Sequence, residues 1–231
     1  MAELVLKDGS KKQFPDGISL AEAVKQLSNS LAKKVLVAKV NGEVTDLRET
    51  IVDGSTVEFL TFADQEGKDT LRHTASHVMA QAIQHLFPGV KFAIGPSIEN
   101  GFYYDLDTEH RFTQEDFAAI EAEMAKIVKE NLPITKEVLS RADALKLFKD
   151  AGQDYKVELI EDLPEDAVIS IYRQGDFVDL CAGPHCASTG AVKASSCAPL
   201  PVLTGAAMNT TRCSSVFTGP LLKRNRNSMN T

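Results

Sequence analysis

The amino-acid sequence predicts an α+β protein made of two small domains. Short apolar strand-like segments, bounded by turns such as Asp-Gly and Asn-Gly, alternate with amphipathic helical segments as far as about residue 193. The first 60 or so residues complete one series of strands around a helix before a polar connector begins. At 231 residues the chain has room for two domains, which we place at residues 1–62 and 63–193.

The bulk composition is that of an ordinary soluble globular protein, with 43% hydrophobic and 25% charged residues. No run approaches the roughly 18 apolar residues of a membrane helix, and the polar N-terminus has no signal-peptide core. We therefore expect a cytoplasmic protein. The formal net charge of −7 argues against a bulk electrostatic footprint for nucleic acid, but does not exclude RNA bound at a local site.

Residues 1–62 show the pattern of a small sheet with one helix. Ser19 and Glu22 stand at capping-box spacing, at the start of a helix that reaches Leu27. Strands are predicted at Glu3–Leu6, Lys11–Phe14, Val35–Val40 and Val57–Leu60. This order resembles the β-grasp (ubiquitin-like) fold, and in particular the TGS domain of threonyl-tRNA synthetases and some regulatory GTPases. We expect a binding or spacer role for it.

The second domain begins with a histidine-bearing helix predicted over Leu71–Phe87. Its apolar residues gather into one stripe at 100° per residue: Leu71, Ala75, Val78, Ala82 and Leu86. His73 and His77 point roughly 160–180° away from that stripe. They are therefore either an exposed surface pair or one wall of a site.

The remaining elements predict an α/β sandwich. Strands are expected at Val90–Ile94, Phe102–Leu106, Pro133–Leu139, Tyr155–Ile160, Val168–Tyr172 and Phe177–Leu180, and helices after the caps Thr113 and Ser140. The last two strands flank Gln174-Gly175 and are expected to form a hairpin. On the predicted Tyr155–Ile160 strand, Lys156 is expected to be solvated. Tyr103 and Tyr104 must face opposite sides of their strand, so only one of them can face a site.

Asp179, Cys181 and His185 fall within seven residues, and a Gly-Pro turn separates the thiol from the imidazole. Together with the histidine helix they offer nitrogen and sulfur ligands of the kind that zinc prefers. The zinc ligands would be His73, His77, Cys181 and His185. The same groups could instead hold a polar substrate and a water, with one of the helix histidines as base. Both interpretations stay open on spacing alone.

Four motifs, HTASH, GPSIENGFYYD, DYKVELI and DLCAGPH, occur in an order and spacing that resembles the editing domain of bacterial threonyl-tRNA synthetases. The resemblance covers about residues 1–193 and implies hydrolysis of seryl-tRNA(Thr), mischarged with serine at the tRNA 3′ end. It implies catalytic roles for His73 and Lys156, which would orient or activate the attacking water. It implies substrate binding by His77, Tyr104, Asp179, Cys181 and His185. Metal is dispensable in the threonyl enzymes, whereas alanyl relatives place zinc on the equivalent residues.

The resemblance also indicates what the chain lacks. We expect the ATP- and magnesium-dependent threonine-activating domain and the anticodon-binding domain to be missing. The chain should then catalyse at most ester hydrolysis, as a monomer, although full-length family members form homodimers. Two alternatives are a freestanding zinc-dependent aminoacyl-tRNA deacylase of the alanyl type and a non-catalytic TGS-type RNA-binding module. If the protein deacylates seryl-tRNA and His73→Ala abolishes this activity, the non-catalytic alternative is rejected.

Residues 194–231 contain 4 basic and no acidic side chains. With plausible codons for residues 207–223, a shifted reading frame gives DEHNKMLKRVYGTAFK, which resembles the family sequence expected here. We interpret residues from about 194 onward as translated out of frame. Cys197 and Cys213 are then accidental, and we expect the tail to be disordered.

Overall fold

The structure is a computed structural model that describes residues 1–95, 97–98 and 101–192, together with the backbone of two strands at 202–206 and 214–218. None of the helices in this part of the chain combines the length and the apolar character that a membrane crossing requires. Cys197 and Cys213, and the remainder of the tail, lie outside the described residues.

The first domain is a five-stranded sheet packed on helix α1, and it contains the four strands and the helix that were predicted. Its elements are β1 (Ala2–Leu6), β2 (Lys11–Phe14), α1 (Leu20–Leu27), α2 (Asn29–Ala32), β3 (Val35–Val40), β4 (Glu43–Thr45) and β5 (Ser55–Thr61). The strand order is β2-β1-β5-β3-β4, with β1 and β5 parallel and the other neighbours antiparallel. The Ser19–Glu22 capping box is confirmed: Glu22 N–H donates to Ser19 Oγ at 3.2 Å, and Ser19 N–H donates to Glu22 Oε2 at 2.8 Å. The sequence analysis missed the short elements α2 and β4.

Only a short turn separates β5 from the first helix of the second domain. Its elements are α3 (Gln65–Leu86), β6 (Lys91–Phe92), β7 (Ser97–Ile98), β8 (Gly101–Phe102), β9 (Asp105–Asp107), α4 (Gln114–Glu130), β10 (Ile134–Leu139), α5 (Arg141–Asp150), α6 (Asp154–Asp162), β11 (Ile169–Gln174) and β12 (Phe177–Leu180). One sheet has the order β10-β11-β12, and β7 pairs with β8. The hairpin predicted around the Gln174–Gly175 turn and both helix caps, at Thr113 and Ser140, are confirmed.

Helix α3 begins at Gln65, earlier than predicted, so it starts directly against the last strand of the first domain. Gly67 makes this approach possible, because a Cβ there would lie 2.0 Å from the Thr61 carbonyl oxygen. Lys39 of β3 also forms an ion pair with Glu66 at 2.5 Å. The two domains are therefore in close contact at the first turn of α3.

Helix α3 is buried on both sides between Thr74 and Ile83. Its apolar stripe packs into the main core together with α4 and aromatic residues of the β6–β9 region, except for Leu86, which is 37% exposed. The side that bears His77 is also covered, and this histidine is 2% exposed. The interpretation of the two histidines as an exposed surface pair is therefore wrong.

Two predicted strands are corrected by the structure. Tyr155–Ile160 lies within helix α6, which packs Val157 and Ile160 against Ala144 and Phe148 of α5 and leaves Glu158 exposed. Lys156 on that helix is 3% exposed rather than solvated. The second predicted strand, Phe102–Leu106, is interrupted at the tyrosine pair, so that β8 and β9 are separate elements.

Two segments of the predicted disordered tail are strands, β13 (Val202–Ala206) and β14 (Ser214–Thr218). They pair with each other, and β14 extends the β6–β9 pair by pairing antiparallel with β9. Both segments contain β-branched residues, which favour extended backbone. The division at residues 62/63 and 193/194, and the shifted frame, remain predictions.

A histidine outside the predicted site links three elements through contacts with two carboxylates. His85 on α3 meets Glu123 of α4 through Nδ1 at 2.9 Å and Asp176 of the β11–β12 turn through Nε2 at 3.0 Å. Partial burial would lower the pKa of His85, but the bonds to Asp176 and Glu123 outweigh it and raise that pKa. Burial opposes ionisation of Asp176, but the bond to His85 lowers its pKa, and Lys126 followed by His85 lowers the pKa of Glu123.

We expect His85→Gln to destabilise the protein most between about pH 4.5 and 6.5, where the histidine is cationic and both carboxylates are ionised. A raised histidine pKa contributes stability that is present below the unfolded-state pKa and is lost as pH rises through the folded-state pKa. Lowered carboxyl pKa values contribute stability above their unfolded-state values. Urea unfolding from pH 5 to 8.5 measures the difference, and a difference that does not change with pH contradicts the prediction.

Candidate functional site

The candidate site lies where α3 faces α6, β12 and the loop after β12. Helix α3 supplies two imidazoles, and helix α6 supplies an ammonium. A phenol comes from the segment before β9. Strand β12 and the loop after it supply a carboxylate, a thiol and a third imidazole. All seven residues predicted for the site meet here: His73, His77, Tyr104, Lys156, Asp179, Cys181 and His185. Their proximity is a property of the structure, whereas their roles remain proposals.

Three imidazole rings lie close to one another and to the Cys181 thiol. The His185 ring lies 4.1 Å from both the His73 and the His77 ring, measured between centroids. Cys181 Sγ is 3.4 Å from His73 Nε2 and 3.3 Å from His185 Nε2. The Gly183 N–H also donates to this sulfur at 3.2 Å. The helical H-x-x-x-H pair and the C-x-x-x-H turn therefore form one cluster.

A threonine inside the HTASH motif determines the proton position on His185. The Thr74 hydroxyl donates its only proton to the Thr70 carbonyl at 2.8 Å and accepts from the Cys186 N–H at 2.9 Å. His185 Nδ1, which lies 3.3 Å from the same oxygen, must then be the donor. The lone pair of His185 Nε2 is therefore directed at Cys181. No role for Thr74 was predicted from the sequence.

A carboxylate, an ammonium and a phenol form a buried network behind the imidazoles. Asp179 is 2% exposed, and its Oδ1 lies 2.5 Å from Lys156 Nζ, while its Oδ2 lies 3.1 Å from His77 Nε2 and accepts from the Tyr104 hydroxyl. Lys156 also donates to the Ala93 carbonyl at 2.5 Å and to Tyr104 Oη at 3.2 Å. Inside the protein Lys156 thus donates to two oxygens and forms an ion pair with the Asp179 carboxylate.

The electrostatics leave the imidazoles neutral and the thiol protonated near pH 7. Burial lowers the pKa of His73, lowers that of His77 to about 3, and places that of His185 well below its usual value. Burial and the Asp179 charge raise the pKa of Cys181 to about 12. Burial also opposes ionisation of Asp179, but Lys156 and then His77 hold its pKa below the usual value.

Access to the cluster comes from one side. His73 and Cys181 are partly exposed and the neighbouring Ala182 is exposed, whereas His77, Tyr104 and the Lys156–Asp179 pair are buried. A ligand that approaches the described residues therefore meets the His73 imidazole and the Cys181 thiol first.

The donor set fits zinc. One ligand atom from each of His73, His77, Cys181 and His185 lies within 4.8 Å of the others. Tetrahedral zinc with Zn–N of about 2.0 Å and Zn–S of about 2.3 Å separates its ligand atoms by about 3.3–3.8 Å. The two distances from Cys181 Sγ to imidazole nitrogens, 3.4 and 3.3 Å, fall in this range. The bond from His77 to Asp179 resembles the carboxylate–histidine support that zinc ligands usually have.

Two side chains of the first domain also reach this site, and the sequence analysis missed them. Asp46 and Arg48, between β4 and β5, bond to the backbone on either side of His185. The sequence signal was weak: an Asp and an Arg two residues apart after an Asn-Gly turn resemble a solvated loop.

Comparison with known proteins agrees with this architecture. The family model described as "TGS domain" matches residues 3–61, and the model described as "Threonyl and Alanyl tRNA synthetase second additional domain" matches residues 169–196. The second match contains the C-x-x-x-H loop of the site and ends close to the boundary predicted at residue 193.

Curated relatives extend the similarity across the site. The chain is 59% identical over 194 residues to the threonine–tRNA ligase of Clostridium novyi (strain NT), 55% to that of Clostridium tetani (strain Massachusetts / E88) and 52% to that of Syntrophomonas wolfei subsp. wolfei. Each match covers 84% of this chain and 30%, 30% and 31% of the respective relative, so the chain spans about a third of their length. The chain is thus homologous to the N-terminal region of threonyl-tRNA synthetase, which comprises the TGS domain and the editing domain.

Proposed function

We propose that the site hydrolyses the ester of seryl-tRNA(Thr), releasing serine and tRNA. The observation that carries the proposal is the position of the His73 imidazole, which is partly exposed, contacts Cys181 and lies over the buried Lys156–Asp179 pair. Burial lowers the pKa of His73, which favours the neutral imidazole. A neutral imidazole can accept a proton from water, and a rigid surrounding network holds it in place. Homology to the editing region of threonyl-tRNA synthetase supports the ester substrate.

In the proposed reaction His73 takes one proton from a water whose oxygen attacks the ester carbonyl carbon. The tetrahedral intermediate then breaks its bond to the ribose oxygen, and that oxygen leaves with the proton returned by the His73 imidazolium. A base positioned in this way contributes on the order of 10²–10⁴-fold to the rate. The products are serine and a tRNA with a free terminal hydroxyl.

The roles proposed for Lys156 and Asp179 follow from their burial. Lys156 is buried, donates to Ala93 and Tyr104 and is paired with Asp179, so we propose that it acts through its charge on Asp179. Asp179 in turn orients the His77 imidazole through the 3.1 Å contact. Asp179 could contact the seryl α-ammonium directly only if one of its contacts with Lys156, His77 or Tyr104 were broken. Cys181 is partly exposed and can contact the seryl moiety, whereas His185 is fully buried behind it and would act by orienting the thiol.

Zinc bound by His73, His77, Cys181 and His185 would supply Lewis-acid polarisation of the ester carbonyl or of a bound water. This donor set favours, as a second candidate function, a zinc-dependent aminoacyl-tRNA deacylase of the alanyl type. An imidazole nitrogen that binds zinc cannot also accept a proton from water, so the two candidate functions give His73 different roles.

The need for such a site follows from the chemistry of the two amino acids. Serine and threonine differ by one methyl group, and a binding pocket gains only about 1–3 kcal/mol from such a difference. A second site that removes the smaller amino acid corrects the errors that remain. We propose tRNA(Thr) as the partner and the cytoplasm as the location. Threonine activation by ATP belongs to the part of the relatives that this chain does not match.

Deacylation by the purified protein tests the proposal. Seryl-tRNA(Thr) and threonyl-tRNA(Thr), each labelled in the amino acid, are incubated with the protein, and the remaining ester is counted against time. We expect the seryl ester to disappear faster than in buffer and the threonyl ester to be spared. A seryl ester that decays at its spontaneous rate, with and without added zinc, contradicts the proposal.

A further inference from the structure

The first domain holds the loop that carries Cys181 and His185. Asp46, between β4 and β5, is 2% exposed although it lies in a loop. Its Oδ1 accepts the backbone N–H of His185 at 2.9 Å, and its Oδ2 accepts the hydroxyl of Tyr172 at 2.6 Å. A side chain more than 130 positions away in sequence thus fixes the backbone of a site residue.

Arg48 fixes the same loop from the adjacent position. Its Nη1 forms an ion pair with Asp46 at 2.5 Å and lies 3.3 Å from the His185 carbonyl. The rest of the guanidinium donates to the carbonyls of Cys186 and of Ile134 at the start of β10. A planar guanidinium suits such a set of fixed acceptors, whereas a lysine ammonium does not.

Tyr172 of β11 limits the movement of the loop from the other side. Gly183 has a φ of +78°, and a Cβ built on it would lie 2.0 Å from Tyr172 Oη. The Tyr172 ring also lies 4.6 Å from the His185 ring, measured between centroids. The hydroxyl that contacts Gly183 is the one that Asp46 accepts, so both contacts depend on the same atom.

We propose that Asp46 and Arg48 are positioning residues of the hydrolytic site, which makes the first domain a component of that site. If Asp46 is removed, the His185 N–H and the Tyr172 hydroxyl are left buried without an acceptor, and the loop must move to satisfy them. Cys181 and His185 then lose their geometry relative to His73. The effect on activity rests on the proposed function, whereas the effect on the loop does not.

Asp46→Ala, compared with Asp53→Ala, tests the positioning role. Asp53 is a matched control, because it also accepts a backbone N–H in the first domain, from Glu3 at 2.7 Å, but contacts no site residue. We expect Asp46→Ala to lower kcat for seryl-tRNA deacylation by on the order of 10- to 100-fold with little change in KM. Asp46→Asn keeps an acceptor for the His185 N–H and should recover most of that rate.

Alkylation of Cys181 gives a readout that needs no catalysis. Iodoacetamide labelling, assigned to Cys181 by tandem mass spectrometry, reports the surroundings of this thiol in each variant. We expect Asp46→Ala to change the labelling rate several-fold and Asp53→Ala to leave it unchanged. Urea unfolding first establishes that each variant is folded. If Asp46→Ala is not, Tyr172→Phe and Arg48→Lys, which preserve size, replace it.

The two readouts separate the possible failures. A folded Asp46→Ala that matches Asp53→Ala in both deacylation and labelling overturns the positioning role. If the unmodified protein has no deacylase activity, a changed labelling rate still supports the positioning role and the proposed function fails alone. An unchanged labelling rate in that case overturns both.

Discussion

Replacing Lys156 by methionine should lower the free energy of unfolding by about 3–5 kcal/mol, because it leaves the buried Asp179 carboxylate without its cation. Both side chains are about 3% exposed, so water cannot compensate for the lost charge. The variant also loses the donor to the Ala93 carbonyl. Equilibrium urea unfolding at pH 7 measures the change.

Two further variants separate the charge effect from other causes. Lys146→Met removes a lysine that is 77% exposed and paired with Asp150 across one helical turn, and it should change stability little. The double variant Lys156→Met/Asp179→Leu removes both charges and should recover part of the lost stability. A Lys156→Met protein as stable as the Lys146→Met protein shows that the buried pair is not needed for stability.

Replacing His73 by alanine should lower kcat for seryl-tRNA deacylation by on the order of 10²–10⁴-fold, because the proposed base is lost. His73 is partly exposed, and the buried Lys156–Asp179 network behind it stays intact, so the variant should remain folded. Single-turnover deacylation measures the chemical step directly. The loss should persist at saturating seryl-tRNA.

His110→Ala is the matched control for this prediction. His110 is a partly exposed histidine that forms an ion pair with Asp116 and stacks on Phe87, away from the cluster. Its replacement should leave the deacylation rate unchanged. A His73→Ala protein that hydrolyses seryl-tRNA as fast as His110→Ala would remove His73 from the mechanism.

Local structure could be predicted from the sequence wherever one residue pattern determines it. The capping boxes at Ser19 and Thr113 and the turn at Gly175 depend on neighbours within a few positions, and all three are present. The chirality and spacing of α3 also place both histidines away from its apolar stripe, as predicted.

Prediction failed where tertiary contacts outweigh local preference. The segment Tyr155–Ile160 has a strand-like composition, but its burial is helical: Lys156, Val157 and Ile160 face neighbouring elements. Glu158, which would share a strand face with Lys156 and Ile160, is exposed. Arg141 supports the end of this helix by donating to the carbonyls of Ile160 and Leu163. No pattern within the segment shows these partners.

The site itself could be assembled from sequence only through resemblance to a family. His73 and Cys181 are 108 positions apart, and no spacing rule brings them to 3.4 Å. Even with this resemblance, the contribution of Asp46 was not predicted, because a carboxylate in a loop is usually solvated. Its burial arises from contact between two domains, which composition and periodicity do not report.

The burial of α3 on both sides has a consequence for attempts to change substrate choice. Between Thr74 and Ile83 this helix has no surface on which residues can vary independently of the core or of the imidazoles. Substitutions there would alter catalysis and folding together. Libraries that aim at a different aminoacyl group should instead vary the accessible rim at Ala182 and leave the helix unchanged.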